Sequence, residues 1–302
     1  MSKRPKIVST GLSGLVGSRV EELLSTKFSF QNLDLTTGVD LADEASVKKA
    51  MGKASGEAVV HFAAYTNVDE AYRQMGDKNG ACYKVNVLGT RHVAQYSAEQ
   101  ERYLIHISTD FVFDGKKRKP YTETDRPHPI EWYGQTKYWA EQEVQKAGGS
   151  FAILRIAFPF RTDYKLKPDL VRTILEKLKT GTLYPMFSDQ IITPTFIDDI
   201  AIALGTIIQK RPRGIYHVVG SSAVSPYDLA KSIARTFGYN EQTVMKGSLA
   251  EYLRTAKRPY QKRLAMSNKK IKRELGITMR TIETALREVK RQINSSYSNL
   301  HL

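Results

Sequence analysis

The stretch that most constrains this chain is its beginning. Lys6-Ile7-Val8-Ser9-Thr10, a short run with strand character, passes directly into Gly11-Leu12-Ser13-Gly14-Leu15-Val16-Gly17 and then into the amphipathic run Ser18 to Leu24. A strand, a tight turn and a helix start follow one another with no loop between them. Glycines let the backbone turn sharply and approach a ligand closely, and the helix start offers N–H groups and the positive end of its dipole to a pyrophosphate. The spacing differs from Gly-x-Gly-x-x-Gly, so the motif alone identifies no particular ligand.

The runs that follow alternate between strand and helix patterns. Strands are expected over 28–33, Ala58 to Phe62, Leu104 to Ile107 and Ala152 to Ile156, with helices over 42–51, 80–100 and from near Tyr133. Such alternation predicts an α/β fold, a Rossmann-type doubly wound parallel sheet. From Phe158-Pro159-Phe160 the composition shifts, and helix 168–180, Tyr184-Pro185 and Asp189-Gln190 open a smaller C-terminal substrate-binding lobe. A helix over Phe196 to Ile208 and a strand over Ile215 to Val219 read as a return, before helices near 226–237 and 278–294. The expected domains are a cofactor-binding domain over 1–157, with a return segment near 190–220, and a lobe built mainly from 158–302.

Composition narrows the classes. The chain has 302 residues, 41% hydrophobic and 25% charged, which suits a globular protein with a substantial core. No apolar run approaches the roughly 18 residues of a membrane span. The start MSKRPKIVSTG lacks an apolar leader and a cleavage site, so a cytoplasmic protein is expected, with no membrane partner. The single cysteine, Cys82, excludes an internal disulfide and fits a reducing compartment.

The formal charge of +15, concentrated in Lys116-Lys117-Arg118-Lys119 and the C-terminal third, admits an anionic substrate or a nucleic-acid surface. No RNA- or DNA-binding module is present, so nucleic acid is disfavoured as a partner. His61 and His106 lie in apolar runs and read as core residues. No histidine pair has metal-site spacing, so no metal site is expected.

Chemistry concentrates between Ser108 and Lys137. Tyr133 and Lys137, four residues apart on a helix, share a face one turn apart. A free phenol has a pKa of about 10, and a neighbouring ammonium favours its phenolate. Lys137 is placed to be that cation. Thr109 follows the apolar run Leu104-Ile105-His106-Ile107, where a hydroxyl at the carboxyl end of a parallel strand could polarise a substrate carbonyl. Asp34, about 17 residues beyond Gly17, falls where a carboxylate would bind ribose hydroxyls and repel a 2′-phosphate. Asp40 and Leu41 precede a helix, which Asp40 could equally cap.

These residues, with AAYTNVDEA, STDFVFDG, YTETD, YGQTK, DQIITPTFIDDIA and RPYQKRLAMSNKKI followed by ELGI, make the chain resemble the dTDP-4-dehydrorhamnose reductase family. That family is a branch of the extended short-chain dehydrogenases/reductases, and the resemblance covers nearly the whole chain. It implies a catalytic trio of Thr109, Tyr133 and Lys137, with NADH or NADPH as cofactor. Asp34, with no arginine closely following, favours NADH. Gly11, Gly14, Leu15, Val16, Gly17, Asp34, Asp40, Leu41, Ala64, Tyr65 and Thr66 would line the cofactor together with Tyr133 and Lys137.

Thr109, Asp110, Phe158 and Arg258 would face a nucleotide-sugar substrate, most simply dTDP-4-dehydrorhamnose reduced to dTDP-rhamnose, and a homodimer is a candidate assembly. Glu131, Ala157-Phe158 and Ile192 depart from the family pattern on the sugar side. Three alternatives stay open: a non-catalytic NAD(P)-binding subunit like the partner of methionine adenosyltransferase, another nucleotide-sugar epimerase or reductase, and a nucleic-acid-associated protein. Dehydration is disfavoured because Phe111 stands where dehydratases carry an acid.

Overall fold

The computed structural model describes residues 4–298; Met1, Ser2 and Lys3 of the basic N-terminal stretch lie outside them. In chain order the elements are β1 (Lys6–Thr10), α1 (Leu15–Leu24), β2 (Ser29–Asn32), α2 (Glu44–Lys53), β3 (Ala58–His61), α3 (Val68–Arg73) and α4 (Ala81–Tyr83). A π-helical segment (Lys84–Gly89), α5 (Thr90–Glu99), β4 (Tyr103–Thr109), α6 (Trp132–Ala147), β5 (Phe151–Ile156), β6 (Pro159–Phe160) and α7 (Leu170–Lys179) follow. The chain continues through β7 (Met186–Phe187), β8 (Thr195–Phe196), α8 (Ile197–Lys210), β9 (Gly214–His217), α9 (Pro226–Phe237), β10 (Lys246–Gly247), α10 (Leu249–Tyr252), α11 (Lys269–Leu275) and α12 (Ile282–Ser298).

Two compact units divide these elements. The first comprises the chain up to Asp114, Glu123–Ile156 and Ala201–Tyr216; the second comprises Gly115–Thr122, Ala157–Ile200 and the chain from His217 onward.

In the first unit six strands form one sheet in the order β2-β1-β3-β4-β5-β9. β1 pairs in parallel with β2 and β3, β3 with β4, and β4 with β5. All four residues of β3 and all seven of β4 are buried, as strands covered on both faces must be, and their sequences read as continuous apolar runs rather than alternating ones. Val8, Val47, Met51, Val59, Val93, Leu104 and Ile153 fill the core on one side. Burial of each such side chain contributes about 1.5–3 kcal/mol. The expected doubly wound α/β sheet is therefore the fold observed. Its order reverses at β1, with β2 on one flank and β3 on the other, and open sheets bind ligands outside the strand carboxyl ends at such a reversal.

The second unit buries Ile174 of α7, Leu229 and Ile233 of α9, and Leu286 and Val289 of α12 in a common core. Two short sheets, β7 with β10 and β6 with β8, complete it. α9 begins where Ser225 Oγ accepts the Asp228 N–H at 3.0 Å and Pro226 occupies the first helical position, where a missing N–H costs nothing. The two sources of positive charge noted in the sequence meet here. Arg263 N donates to Gly115 O at 3.0 Å and Tyr121 N to Ala265 O at 2.8 Å, laying Lys116-Lys117-Arg118-Lys119 beside the basic C-terminal segment.

Some boundaries differ from the expected ones. α2 starts at Glu44 because Asp43, whose side chain accepts the Ala45 N–H at 3.0 Å, caps it. α12 starts at Ile282 instead of 278, since the Arg280 N–H donates to Asp199 Oδ2 at 2.7 Å and the Arg280 carbonyl accepts the Ser221 N–H at 2.9 Å. α11, a short basic helix, was not foreseen from the pattern.

Candidate active site

The turn after β1 is built by backbone contact. Gly11 has φ +66°, and a Cβ there would lie 2.6 Å from the Ala63 backbone, so the turn passes directly over the end of β3. Gly17 is closed in the same way, with a Cβ 2.6 Å from the Leu12 carbonyl oxygen. α1 starts after Gly14 with no side-chain cap and no acid in its first turn, leaving its first N–H groups for an anion.

Asp34 sits just beyond β2, 8% exposed, and its Oδ2 accepts from Ser13 Oγ at 3.1 Å and Asn32 Nδ2 at 2.7 Å. Burial works to raise its pKa, but hydrogen bonds from Thr36, Asn32 and Ser13 outweigh it and hold the carboxyl below its ordinary range. A glycine cradle, an uncapped helix start and a fixed carboxylate together fit a dinucleotide: pyrophosphate at the helix, ribose hydroxyls at Asp34.

Leu15 and Val16 open α1, and Ala64, Tyr65 and Thr66 follow β3. The Tyr65 N–H donates to Asn86 Oδ1 at 2.7 Å, and Asn86 Nδ2 donates to Thr136 Oγ1 at 3.0 Å. Asn86 thus ties the segment after β3 to α6 from within the π-helical segment, a role its position in the sequence did not disclose. Asp40 is exposed and accepts the Ala42 N–H at 2.9 Å, while Asp43, not Asp40, caps α2. The Leu41 side chain is in the core and its carbonyl meets His92 Nδ1 at 3.0 Å.

At the carboxyl end of β4, Thr109 Oγ1 lies 3.1 Å from Asp110 Oδ1 and accepts the Phe111 N–H at 3.3 Å, which caps the 3₁₀ turn Asp110–Val112. α6 packs on this turn. Gly134 permits the approach: a Cβ there would stand 2.2 Å from the Phe111 carbonyl oxygen. Glu131 caps α6, its Oε2 accepting the Tyr133 N–H at 2.9 Å and its Oε1 the Gly134 N–H at 2.6 Å. The Tyr133 ring meets Phe111 edge-on with centroids 5.7 Å apart.

Lys137, one turn on, is 2% exposed and donates to the Ile107 carbonyl at 2.8 Å, with His106 Nε2 at 3.5 Å. His106 lies 5.2 Å, ring to ring, from His61, which hydrogen-bonds Thr10 at 2.6 Å and Thr90 at 2.9 Å. Both histidines are fully buried, as their apolar surroundings in the sequence implied. Burial, then the charge on Lys137, pushes the His61 pKa down to about 3 and that of His106 well below the ordinary value. Neutral imidazoles thus underlie the lysine, whose own pKa is lowered to about 8 by burial despite the opposing charge of Glu141.

One expectation differs from the structure. Lys137 was expected to make the Tyr133 phenol acidic. Burial instead pushes that phenol above its ordinary value, partly offset by the Thr109 hydroxyl and reinforced by Glu131, Asp110 and Cys82. The lysine charge is held at the Ile107 carbonyl. Thr109, Asp110, Tyr133 and Lys137 all belong to the first unit. Phe158 and Arg258 belong to the second. Phe158 has φ +41°, a strained conformation for a bulky residue, and its carbonyl accepts the Thr195 N–H at 3.2 Å. The Arg258 guanidinium stacks 3.7 Å from the centre of the Tyr260 ring.

A family model described as the RmlD substrate binding domain matches residues 5–295. The chain is 29% identical to a dTDP-4-dehydrorhamnose reductase of Aggregatibacter actinomycetemcomitans, over 94% of this chain and 98% of that protein. It is 30% identical to the spore coat polysaccharide biosynthesis protein SpsK of Bacillus subtilis, over 96% of this chain and 99% of that one. Among solved structures, a dTDP-4-dehydrorhamnose reductase from Bacillus anthracis in complex with NADP superposes with a TM-score of 0.87 at 25% identity, covering 96% of this chain and all of that one.

Proposed function

We propose that this chain, which belongs to the dTDP-4-dehydrorhamnose reductase family, reduces the 4-keto group of dTDP-4-dehydrorhamnose to give dTDP-rhamnose. It is an NAD(P)H-dependent oxidoreductase acting on a sugar nucleotide. The observation that carries the choice of reaction is the seating of the first turn of α6 on the carboxyl end of β4, which sets Tyr133 by the Thr109 turn and one helical turn from the anchored Lys137 ammonium.

A bound reduced nicotinamide supplies the hydride. Thr109 then holds the substrate oxygen, and Tyr133 gives its phenolic proton to that oxygen as negative charge develops there. Lys137, anchored at Ile107, is a fixed cation beside the reaction and a donor to the nicotinamide ribose. Asp34, kept ionised beside Ser13, favours NADH over NADPH by repelling a 2′-phosphate. Asp110 is assigned to the sugar, and Phe158 and Arg258 to the sugar nucleotide. A cytoplasmic location belongs to the same proposal, supported by the lone buried thiol of Cys82.

The test is to offer the purified protein dTDP-, UDP- and GDP-linked 4-keto sugars with NADH or NADPH and to follow the nicotinamide absorbance. Loss of absorbance is expected with the dTDP-linked keto sugar, fastest with NADH, and Tyr133→Phe should slow it about 10²–10⁴-fold while still binding cofactor. Absence of turnover by the wild type with every pair would overturn the reading.

A further inference from the structure

We propose that Ser13 and Thr36 tune the cofactor preference of the site: their hydroxyls hold the two places on Asp34 that the adenosine ribose diol takes over, so the diol binds by exchange with them. This inference rests on the dinucleotide-binding reading of the site. An ionised carboxylate has about four lone-pair sites, and on Asp34 four donors fill them. Oδ1 accepts the Thr36 N–H at 2.8 Å and the Thr36 hydroxyl at 2.5 Å. Oδ2 accepts the Asn32 Nδ2 amide at 2.7 Å and the Ser13 hydroxyl at 3.1 Å.

Each oxygen thus carries one fixed donor and one that can turn away. The Thr36 N–H belongs to the 3₁₀ turn Leu35–Thr37, which Asp34 caps while its own N–H donates back to Thr37 Oγ1 at 3.0 Å. The Asn32 amide is oriented from its other end, where Oδ1 accepts the Leu12 N–H of the glycine turn at 3.2 Å. The two hydroxyls are different. They are rotors on the exposed residues Ser13 and Thr36, and each can swing to water without disturbing an element.

A ribose 2′,3′-diol brings two O–H donors, the same number and kind as the two that leave, one for each carboxylate oxygen. Asp34 stays satisfied through the exchange, but the bonds gained with the diol are offset by those lost from the protein. A 2′-phosphate brings acceptors instead. It cannot replace the hydroxyls on Asp34, yet it can accept from them once they turn towards it. Ser13 and Thr36 therefore subtract from NADH binding and add to NADPH binding, narrowing the preference that the charge on Asp34 alone would set.

Equilibrium binding to the full chain tests this without turnover. Ser13→Ala and Thr36→Val remove the hydroxyls and keep the Thr36 N–H. Each should tighten NADH about 2–10-fold, and the double variant more than either, while NADPH gains nothing, so the NADH preference widens. NADH lacking the adenosine 2′-hydroxyl reads the exchange from the ligand side. Loss of that hydroxyl should weaken binding less than about 3-fold in the wild type and about 10-fold in the double variant, where no protein hydroxyl is left to refill Asp34. Unchanged or weaker NADH binding in both single variants, or an equal penalty for the deoxy cofactor in wild type and double variant, overturns the inference and leaves the dinucleotide reading standing. Should Thr36→Val fail to fold, the NADH affinity of Ser13→Ala decides alone. A wild type that binds neither NADH nor NADPH defeats the dinucleotide reading, and the inference falls with it.

Discussion

The carboxylate of Glu141 holds the guanidinium of Arg155 with both oxygens, at 2.9 and 2.6 Å, and one of them also accepts the Ser108 hydroxyl at 2.6 Å. Neither charged residue is more than 1% exposed, and Glu141 thereby ties α6 to β4 and β5. Removal of one partner leaves a buried charge uncompensated. Glu141→Gln should therefore destabilise the protein by about 3–5 kcal/mol, read as a shift in the denaturant midpoint with an unchanged slope. Arg155→Met should cost a similar amount, and recovery of most of that loss in the double variant would confirm that the unpaired charge, not the lost packing, carries the cost.

Lys137 combines an anchored ammonium with a pKa lowered to about 8. Lys137→Gln should cut kcat/KM about 10²–10³-fold and weaken cofactor binding, while leaving folding intact. In the wild type the charge on Lys137 is lost as pH rises through about 8, so cofactor affinity should decline there. Titration of cofactor Kd against pH in both proteins checks this: the decline should be absent in the variant.

Gly134 touches no substrate in the proposed mechanism, yet no larger residue fits. A Cβ at this position would lie 2.2 Å from the Phe111 carbonyl and 2.8 Å from Glu131 Oε1, the two features that seat α6 on the end of β4. Gly134→Ala should cost about 1–3 kcal/mol and lower kcat more than it raises KM, because it moves Tyr133 relative to Thr109. Normal kcat in a folded Gly134→Ala protein would argue against a rigid Tyr133–Thr109 alignment.

Stability should also record the proton on Asp110. Its carboxyl rises from 3.8 to about 7 on folding, so between those values the native state binds more protons than the unfolded chain, and stability falls as pH rises. The effect is on the order of 2–4 kcal/mol across the window. His61, lowered from 6.5 to about 3, acts oppositely over the acid part of that range. The informative quantity is the difference between wild type and Asp110→Asn. The variant should gain on the wild type as pH rises through about 7 in denaturant titrations.

The sequence by itself determined the elements and the chemistry they carry. The β1 run and its glycines, the apolar runs at 58–62 and 104–107 that become buried strands, and the four-residue step from Tyr133 to Lys137 are local patterns, legible because period and spacing reflect only near neighbours. The tertiary structure alone decided which groups face one another. Glu141 and Arg155 lie 14 residues apart, Asn86 and Thr136 lie 50 apart, and His61 meets Thr10 across 51 residues, separations at which periodicity carries no information. Only their juxtaposition made Glu131 a charge beside Asp110 and gave Gly134 its necessity. Burial, a property of the assembled fold, then pushed the Tyr133 phenol up where the neighbouring Lys137 was expected to lower it.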